Sequence, residues 1–212
     1  MLKIKSFTFN PYQENTYLIF DDSKEAVVID PGNYEAYENE SISKFIDENK
    51  LQLKKIILTH CHLDHCLGNK YLNQKYGAEL LIPFDERDLY KNVENIATLF
   101  GFANYSHLDE NKYLKEKDKI EFGNIKLDVL FLPGHSPGHL AFYCKKENIC
   151  FSGDVLFYNS IGRTDLPGGD HDTLINSIKN KLFLLNPNTI IYPGHGQKTI
   201  LKNEMKNNPF LI

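Results

Sequence analysis

The chain has 212 residues, enough for one domain with a full hydrophobic core. Its 24 Lys and Arg residues against 28 Asp and Glu give a net charge of −4, so composition offers no general electrostatic reason to expect nucleic acid or an anionic membrane as a partner. No stretch of the sequence is long and apolar enough to span a bilayer, and the N-terminus alternates charged and apolar residues, which predicts a cytoplasmic protein.

The first sixty residues predict antiparallel strands, then a helix and a buried strand. Short runs of alternating or apolar residues indicate strands over 3–9, 16–20, 26–29 and 54–58. Apolar residues at helical spacing indicate a helix over 35–49.

A dense group of metal-ligand residues follows the strand over 54–58. His60, His62, Asp64 and His65 fall within six residues, at a strand end, where α/β folds place their sites. Alternate side chains of an extended segment share a face, so His60 and His62 can converge on one ion, while Asp64 and His65 reach a second point nearby. The spacing predicts two metal ions.

The middle of the chain is less regular. Short helices are predicted over 68–76 and 85–91, with a strand over 79–82 between them. Residues 92–117 carry aromatic side chains without a clean period, and we interpret them as an irregular excursion over the site. Its aromatic residues are expected to pack or to line a substrate pocket.

The second half repeats the opening in outline. Strands are predicted over 119–122, 126–132, 139–144, 148–151 and 189–192, and helices over 172–183 and 198–206. Two groups of strands, each followed by a helix, predict an α/β fold in which two sheets pack together with helices outside.

Three further ligand candidates follow predicted strands. His135, Asp154 and His195 each lie in a turn that contains glycine, and separate strands can bring such turns to one edge of a sheet. We expect His60, His62 and His135 to bind one ion, Asp64, His65 and His195 to bind the other, and Asp154 to bridge them.

These residues resemble the signature of the metallo-β-lactamase superfamily. Its His-x-His-x-Asp-His motif is matched by residues 60–65, and its later His, Asp and His by His135, Asp154 and His195. The resemblance implies a four-layer αββα sandwich with the metal site along one edge of the two sheets.

Within that superfamily the chain is similar to the glyoxalase II (hydroxyacylglutathione hydrolase) group, in particular its short single-domain bacterial members. The similarity lies in residues 133–139, 152–157 and 162–170. It implies one domain over residues 1–212, without the helical C-terminal domain that supplies much of the glutathione site in full-length enzymes. The chain departs from that group at Gly196-Gln197, where Glu-Tyr is usual, and at Arg163, where a glutathione-contacting lysine is expected.

The resemblance implies a hydrolase of small-molecule thioesters that uses a hydroxide held between two Zn²⁺ ions, with iron or manganese as alternative metals. Asp64 and Asp154 would be its catalytic residues, and Arg163 a possible contact for a substrate carboxylate. A thiolate is a good leaving group and a good zinc ligand, although a lactone or phosphodiester substrate is not excluded by the residues.

Two other functions compete with this one. A mononuclear iron persulfide dioxygenase shares the Gly-Arg-Thr-Asp element and needs only the positions of His60, His135 and Asp154. A non-catalytic binding module would use the ions to hold loops together. A nuclease is disfavoured by the absence of a basic excess.

The remaining candidates have structural interpretations. The four cysteines are expected to be reduced thiols, and none of their spacings matches a zinc knuckle. Asp30 either orients a ligand histidine or starts a turn. Arg163 has an ion-pair partner in Asp165, and His107, His139 and His171 are assigned no metal.

Overall fold

The computed structural model describes residues 1–109 and 112–212. Its strands are β1 (Lys3–Phe9), β2 (Glu14–Phe20), β3 (Glu25–Ile29), β4 (Gln52–Ile57), β5 (Glu79–Pro83), β6 (Lys112–Leu114), β7 (Lys119–Phe122), β8 (Ile125–Phe131), β9 (Leu140–Cys144), β10 (Ile149–Gly153), β11 (Leu156–Phe157), β12 (Ser160–Ile161), β13 (Ile190–Pro193) and β14 (Thr199–Ile200). Its helices are α1 (Ala36–Glu48), α2 (Asn69–Tyr76), α3 (Arg87–Lys91), α4 (Val93–Leu99), α5 (His171–Asn180) and α6 (Leu201–Asn207), and single 3₁₀ turns lie at Leu63–His65, Phe84–Glu86 and Leu182–Leu184.

Two six-stranded sheets form the centre of the molecule. The first has the order β1-β2-β3-β4-β5-β6 and the second β14-β13-β10-β9-β8-β7, with β11 and β12 as a separate two-stranded ribbon. Each sheet mixes antiparallel hairpins with parallel pairs, β3 with β4 in the first and β10 with β13 in the second. This arrangement matches the predicted pair of sheets.

The hydrophobic core lies in three layers between these elements. Alternation along β2 explains the layering, because Ile19 packs with Phe142 and Phe151 between the sheets, while Leu18 packs with Ile42 on the outer side of the first sheet. On the far side of the second sheet, α5 packs Leu174 and Ile178 against Ala141 and Ile191. Helices therefore cover both outer faces, which confirms the four-layer αββα sandwich.

The excursion over residues 92–117 is more ordered than its sequence pattern suggested. It contains α4, and β6 adds to the edge of the first sheet in parallel with β5. The expectation of an irregular segment was therefore wrong for these two stretches; Glu110 and Asn111 lie outside the described residues. The helix is short and β6 has only three residues, so neither shows a clear period.

The fold brings the carboxyl ends of several strands to one edge. A backbone bridge joins Glu14 of the first sheet to His195 beyond the second, and Asn15 N donates to Gly194 O at 2.7 Å. Within the described residues, no helix has the length and apolarity needed to cross a membrane.

Candidate metal centre

The seven predicted ligand residues converge at this edge from four segments. His60, His62, Asp64 and His65 follow β4, and the other three come from the β8–β9 loop, the end of β10 and the end of β13. Three of the five histidines, His60, His65 and His135, are almost fully buried, whereas His62 and His195 are partly exposed. The site is thus a buried cluster with one open side.

The first group consists of three histidine nitrogens that face one another. His62 Nδ1 lies 3.1 Å from His60 Nε2 and 2.9 Å from His135 Nε2, and the two Nε2 atoms are 3.3 Å apart. Ligands on a tetrahedral ion with Zn–N bonds of about 2.0–2.1 Å are separated by roughly 3.3 Å. The triangle of nitrogens therefore has the size of one face of a zinc site.

The second group combines a carboxylate with two histidines. Asp64 Oδ2 lies 3.2 Å from His195 Nε2 and 3.6 Å from His65 Nε2. Three such donor atoms, all within 4.8 Å of one another, could hold a metal ion.

Asp154 lies between the two groups. Its Oδ2 is 3.6 Å from His135 Nε2 of the first group and 3.5 Å from His195 Nε2 of the second. Its Oδ1 is 3.6 Å from His65 Nε2, and both of these atoms are buried without a hydrogen-bond partner. Unpaired buried polar atoms are costly in a folded protein, so their convergence here fits a site that divalent cations complete.

Asp30 orients two of the histidines. Its carboxylate accepts hydrogen bonds from Thr59 N at 2.7 Å, Thr59 Oγ1 at 2.6 Å and His65 Nδ1 at 3.1 Å. Because the Thr59 hydroxyl donates its proton to Asp30, its oxygen is free to accept from His60 Nδ1 at 3.0 Å. In the neutral form of each ring, these contacts place the proton on Nδ1 and direct the Nε2 lone pair into the site, as is typical around metal ligands.

Two backbone carbonyls orient His135 and His195. Arg163 O accepts from His135 Nδ1 at 2.7 Å, and Tyr12 O accepts from His195 Nδ1 at 3.1 Å. Sequence reasoning missed both contacts, because a backbone carbonyl carries no residue-type signal.

The pKa shifts of the histidines differ between the two donor groups. Burial lowers the pKa of His60, and burial together with His135 lowers the pKa of His62 to about 4. Burial also opposes charge on His65 and His195, but Asp64 and Asp154 outweigh it and raise the pKa of both. Burial opposes charge on Asp154 too, but His65, His195 and His135 outweigh it and hold the pKa of this carboxyl below its usual range.

A family model supports the assignment that the geometry suggests. The model of the metallo-beta-lactamase superfamily matches residues 9–195, which include all seven site residues. The chain belongs to this superfamily.

Similar proteins within the superfamily carry different descriptions. Hydroxyacylglutathione hydrolase GloC of Haemophilus influenzae is 39% identical, over 99% of this chain and 98% of its own. A structure described as BLEG-1 B3 metallo-beta-lactamase is 35% identical with a TM-score of 0.89, over 100% of this chain and 99% of that one. A structure of TTHA1623 in a di-iron-bound form is 37% identical with a TM-score of 0.86, over 98% of this chain and 100% of that one.

Other polar residues named from the sequence have structural partners. The guanidinium of Arg163 forms two hydrogen bonds of 2.7 Å to Asp165, so the internal ion pair is present. His139 Nε2 accepts from Asp154 N at 3.1 Å, which fixes the backbone of Asp154. His171 is exposed beside the helix cap Asp170.

The cysteines are free thiols and all four are buried, as expected. Cys61 and Cys66 belong to the segment that carries His60, His62 and His65, and their side chains pack into the core on the outer side of the first sheet. Cys144 packs between the sheets and Cys150 on the outer side of the second sheet.

An aromatic cavity lies beside the site. It has a volume of about 310 Å³ and is lined mainly by Tyr12, Tyr34, Phe100 and Phe102. Phe102 stacks on Tyr12, whose carbonyl holds His195. Part of the excursion therefore reaches the margin of the metal centre.

Proposed function

We propose that this protein is a metal-dependent thioester hydrolase of the hydroxyacylglutathione hydrolase type, which works with two zinc ions. The position of Asp154 is the observation that carries the proposal, since one of its oxygens faces a histidine of each donor group. The similarity to GloC over nearly the whole chain supports the thioester class.

Each donor group has a distinct part in this proposal. His60, His62 and His135 would hold one ion, and Asp64, His65 and His195 would hold the other. Asp154 faces a histidine of each group and would be shared by them. When bound, such ions would supply Lewis-acid chemistry, which would make a water molecule acidic enough to serve as a nucleophile near neutral pH and would polarise a substrate carbonyl.

The protein's own residues then keep the donor atoms in place. Asp30, Thr59 and the carbonyls of Tyr12 and Arg163 fix the imidazole rings, as described above, so that the lone pairs stay directed into the site during the reaction. A thiolate leaves without needing protonation, so a thioester requires no general acid from the chain. The substrate approaches from the open side, where His62 and His195 are partly exposed.

The proposal is tested with zinc-loaded protein and a panel of substrates. S-lactoylglutathione, a β-lactam and a phosphodiester would be compared at equal enzyme concentration, with bound metal measured on the same sample. We expect thioester cleavage to have the highest kcat/KM. A β-lactam hydrolysed faster would favour the activity that the BLEG-1 structure is named for, and would contradict the thioester proposal.

A further inference from the structure

A buried carboxylate outside the seven site residues lies between two ligand-bearing loops. Glu86 ends the 3₁₀ turn that follows β5 and is fully buried. Its Oε2 accepts from Cys61 N at 3.1 Å, and its Oε1 accepts from Gly138 N at 2.6 Å. One side chain thus satisfies two loop amides.

The two amides connect different parts of the first donor group. Cys61 is the residue between His60 and His62, whereas Gly138 lies three residues after His135. Neither amide has another acceptor within the described part of the chain. The Glu86 carboxylate therefore ties the segment with two of the histidines to the loop with the third.

The approach of the second loop to Glu86 is unusually close. A Cβ atom at position 138 would lie 2.7 Å from Glu86 Cγ and 2.7 Å from Glu86 N, so only glycine allows this backbone to reach the carboxylate. The contact therefore depends on two residue types, a carboxylic acid at position 86 and glycine at position 138.

A backbone hydrogen bond also connects the two segments, but at a different place from the Glu86 contacts. Leu140 N donates to Thr59 O at 2.7 Å and fixes the strand ends behind the site. Glu86 instead holds the Cys61 amide, which lies between His60 and His62.

We propose that Glu86 is a positioning residue that holds the His60, His62 and His135 nitrogens together before a metal ion arrives. This inference rests on the proposed function only in taking these three histidines as a metal site. A donor group assembled in advance pays less ordering entropy on binding the ion than one carried by two separate loops.

The first test uses metal-free wild-type protein and amide hydrogen exchange. We expect the Cys61 and Gly138 amides to be protected without metal, and the Glu86→Gln variant to lose protection at one or both. Glutamine offers one acceptor oxygen in place of two and turns an NH₂ group towards the other amide. The Leu140 amide should stay protected in both proteins. Fast exchange of both amides in metal-free wild type would overturn the proposal.

The second test measures zinc affinity at the first group alone. His195→Ala disables the second group, so Zn²⁺ titrated against a chelating dye reports His60, His62 and His135. On this background Glu86→Gln should weaken zinc binding by about tenfold or more, the scale seen when partners of metal ligands are lost.

Glu204→Gln provides the matched control. Glu204 is also fully buried and accepts from Thr199 Oγ1, Asn159 N and Asn208 Nδ2, but it contacts none of the ligand loops. Its substitution should lower the midpoint of thermal unfolding while leaving zinc affinity within about twofold of the background. Equal zinc affinities for the Glu86 and Glu204 variants would overturn the proposal. If the His195→Ala background itself bound no zinc, the proposed metal site would fail, and the exchange test would still decide the role of Glu86.

Discussion

At the scale of single residues, Asp154 connects the two donor groups. Removing its carboxylate leaves His135, His65 and His195 without their shared partner. We expect Asp154→Ala to bind fewer than two zinc ions and to lose at least about 100-fold in kcat/KM. Substituting a residue that only hydrogen-bonds to a metal ligand already costs up to about 100-fold. Metal analysis and steady-state kinetics on one preparation would check this.

Asp165→Ala is the control for that substitution. Asp165 is exposed, and its carboxylate accepts a hydrogen bond from the Arg163 side chain near the rim of the site. Its removal should leave zinc content unchanged. If Asp154→Ala kept full activity and two ions, the bridging role would be wrong.

The pKa shifts predict that the two groups load with different pH dependence. His60 and His62 have lowered pKa values, so they are neutral at pH 7 and bind a cation without releasing protons. His65 and His195 have raised pKa values, so protons compete with a cation at the second group until the pH exceeds those values.

The consequence is measurable by calorimetry in buffers of different ionisation enthalpy. One equivalent of zinc should bind with little proton release. The other should release protons on binding, and as the pH rises this release should decrease while the zinc affinity increases. Two equivalents with the same pH dependence would contradict this assignment.

At the scale of elements, Gly194 directly follows strand β13 and lies against Asp154. A Cβ at Gly194 would lie 2.1 Å from Asp154 Oδ1 and 2.7 Å from His65 Cε1. Gly194→Ala should therefore displace Asp154 and reduce both zinc content and kcat/KM, the latter by about tenfold or more.

Gly77→Ala separates this effect from a general cost of replacing glycine. Gly77 caps α2 with φ of 69°, and a Cβ there would meet nothing within 4 Å. This variant should lose about 1 kcal/mol of stability while keeping both ions. Normal zinc binding by Gly194→Ala would show that the close packing is not required.

The sequence predicts the longer elements of the fold better than the short ones. The long strands and α1 are predictable because several residues repeat one period, and the ligand candidates at strand ends follow from them. The ribbon β11–β12 and strand β14 have two residues each, and α4 is a single short helix, so no period marks them. The role of Asp30 does not follow from the sequence, because it depends on the contacts that Thr59 and His65 make with its carboxylate in the folded chain.

At the scale of the whole molecule, the hydrophobic core contains none of the seven candidate metal ligands. Three hydrophobic layers pack the sheets and helices independently of the seven site residues. We expect the metal-free protein to unfold cooperatively, and zinc at 100 times its Kd to add about 2.7 kcal/mol per site.

That gain corresponds to about 5–11 °C per site in the midpoint of thermal unfolding for a chain of this size. Calorimetry with and without a chelator measures the shift. An unfolded metal-free protein would contradict this prediction and would favour the structural role of the ions considered above.

The resemblance of residues 60–65 to the superfamily signature predicted the global architecture, and the structure confirms it. Substrate identity does not follow in the same way, because one fold supports many reactions. Relatives described as a hydroxyacylglutathione hydrolase and as a beta-lactamase both match this chain over nearly its full length.

The most direct measurement combines metal stoichiometry with product analysis on one sample of purified protein. The account predicts two zinc ions per chain and hydrolysis of S-lactoylglutathione with one thiol released for each ester cleaved. One iron per chain, oxygen consumption with glutathione persulfide and no thioester cleavage would contradict it.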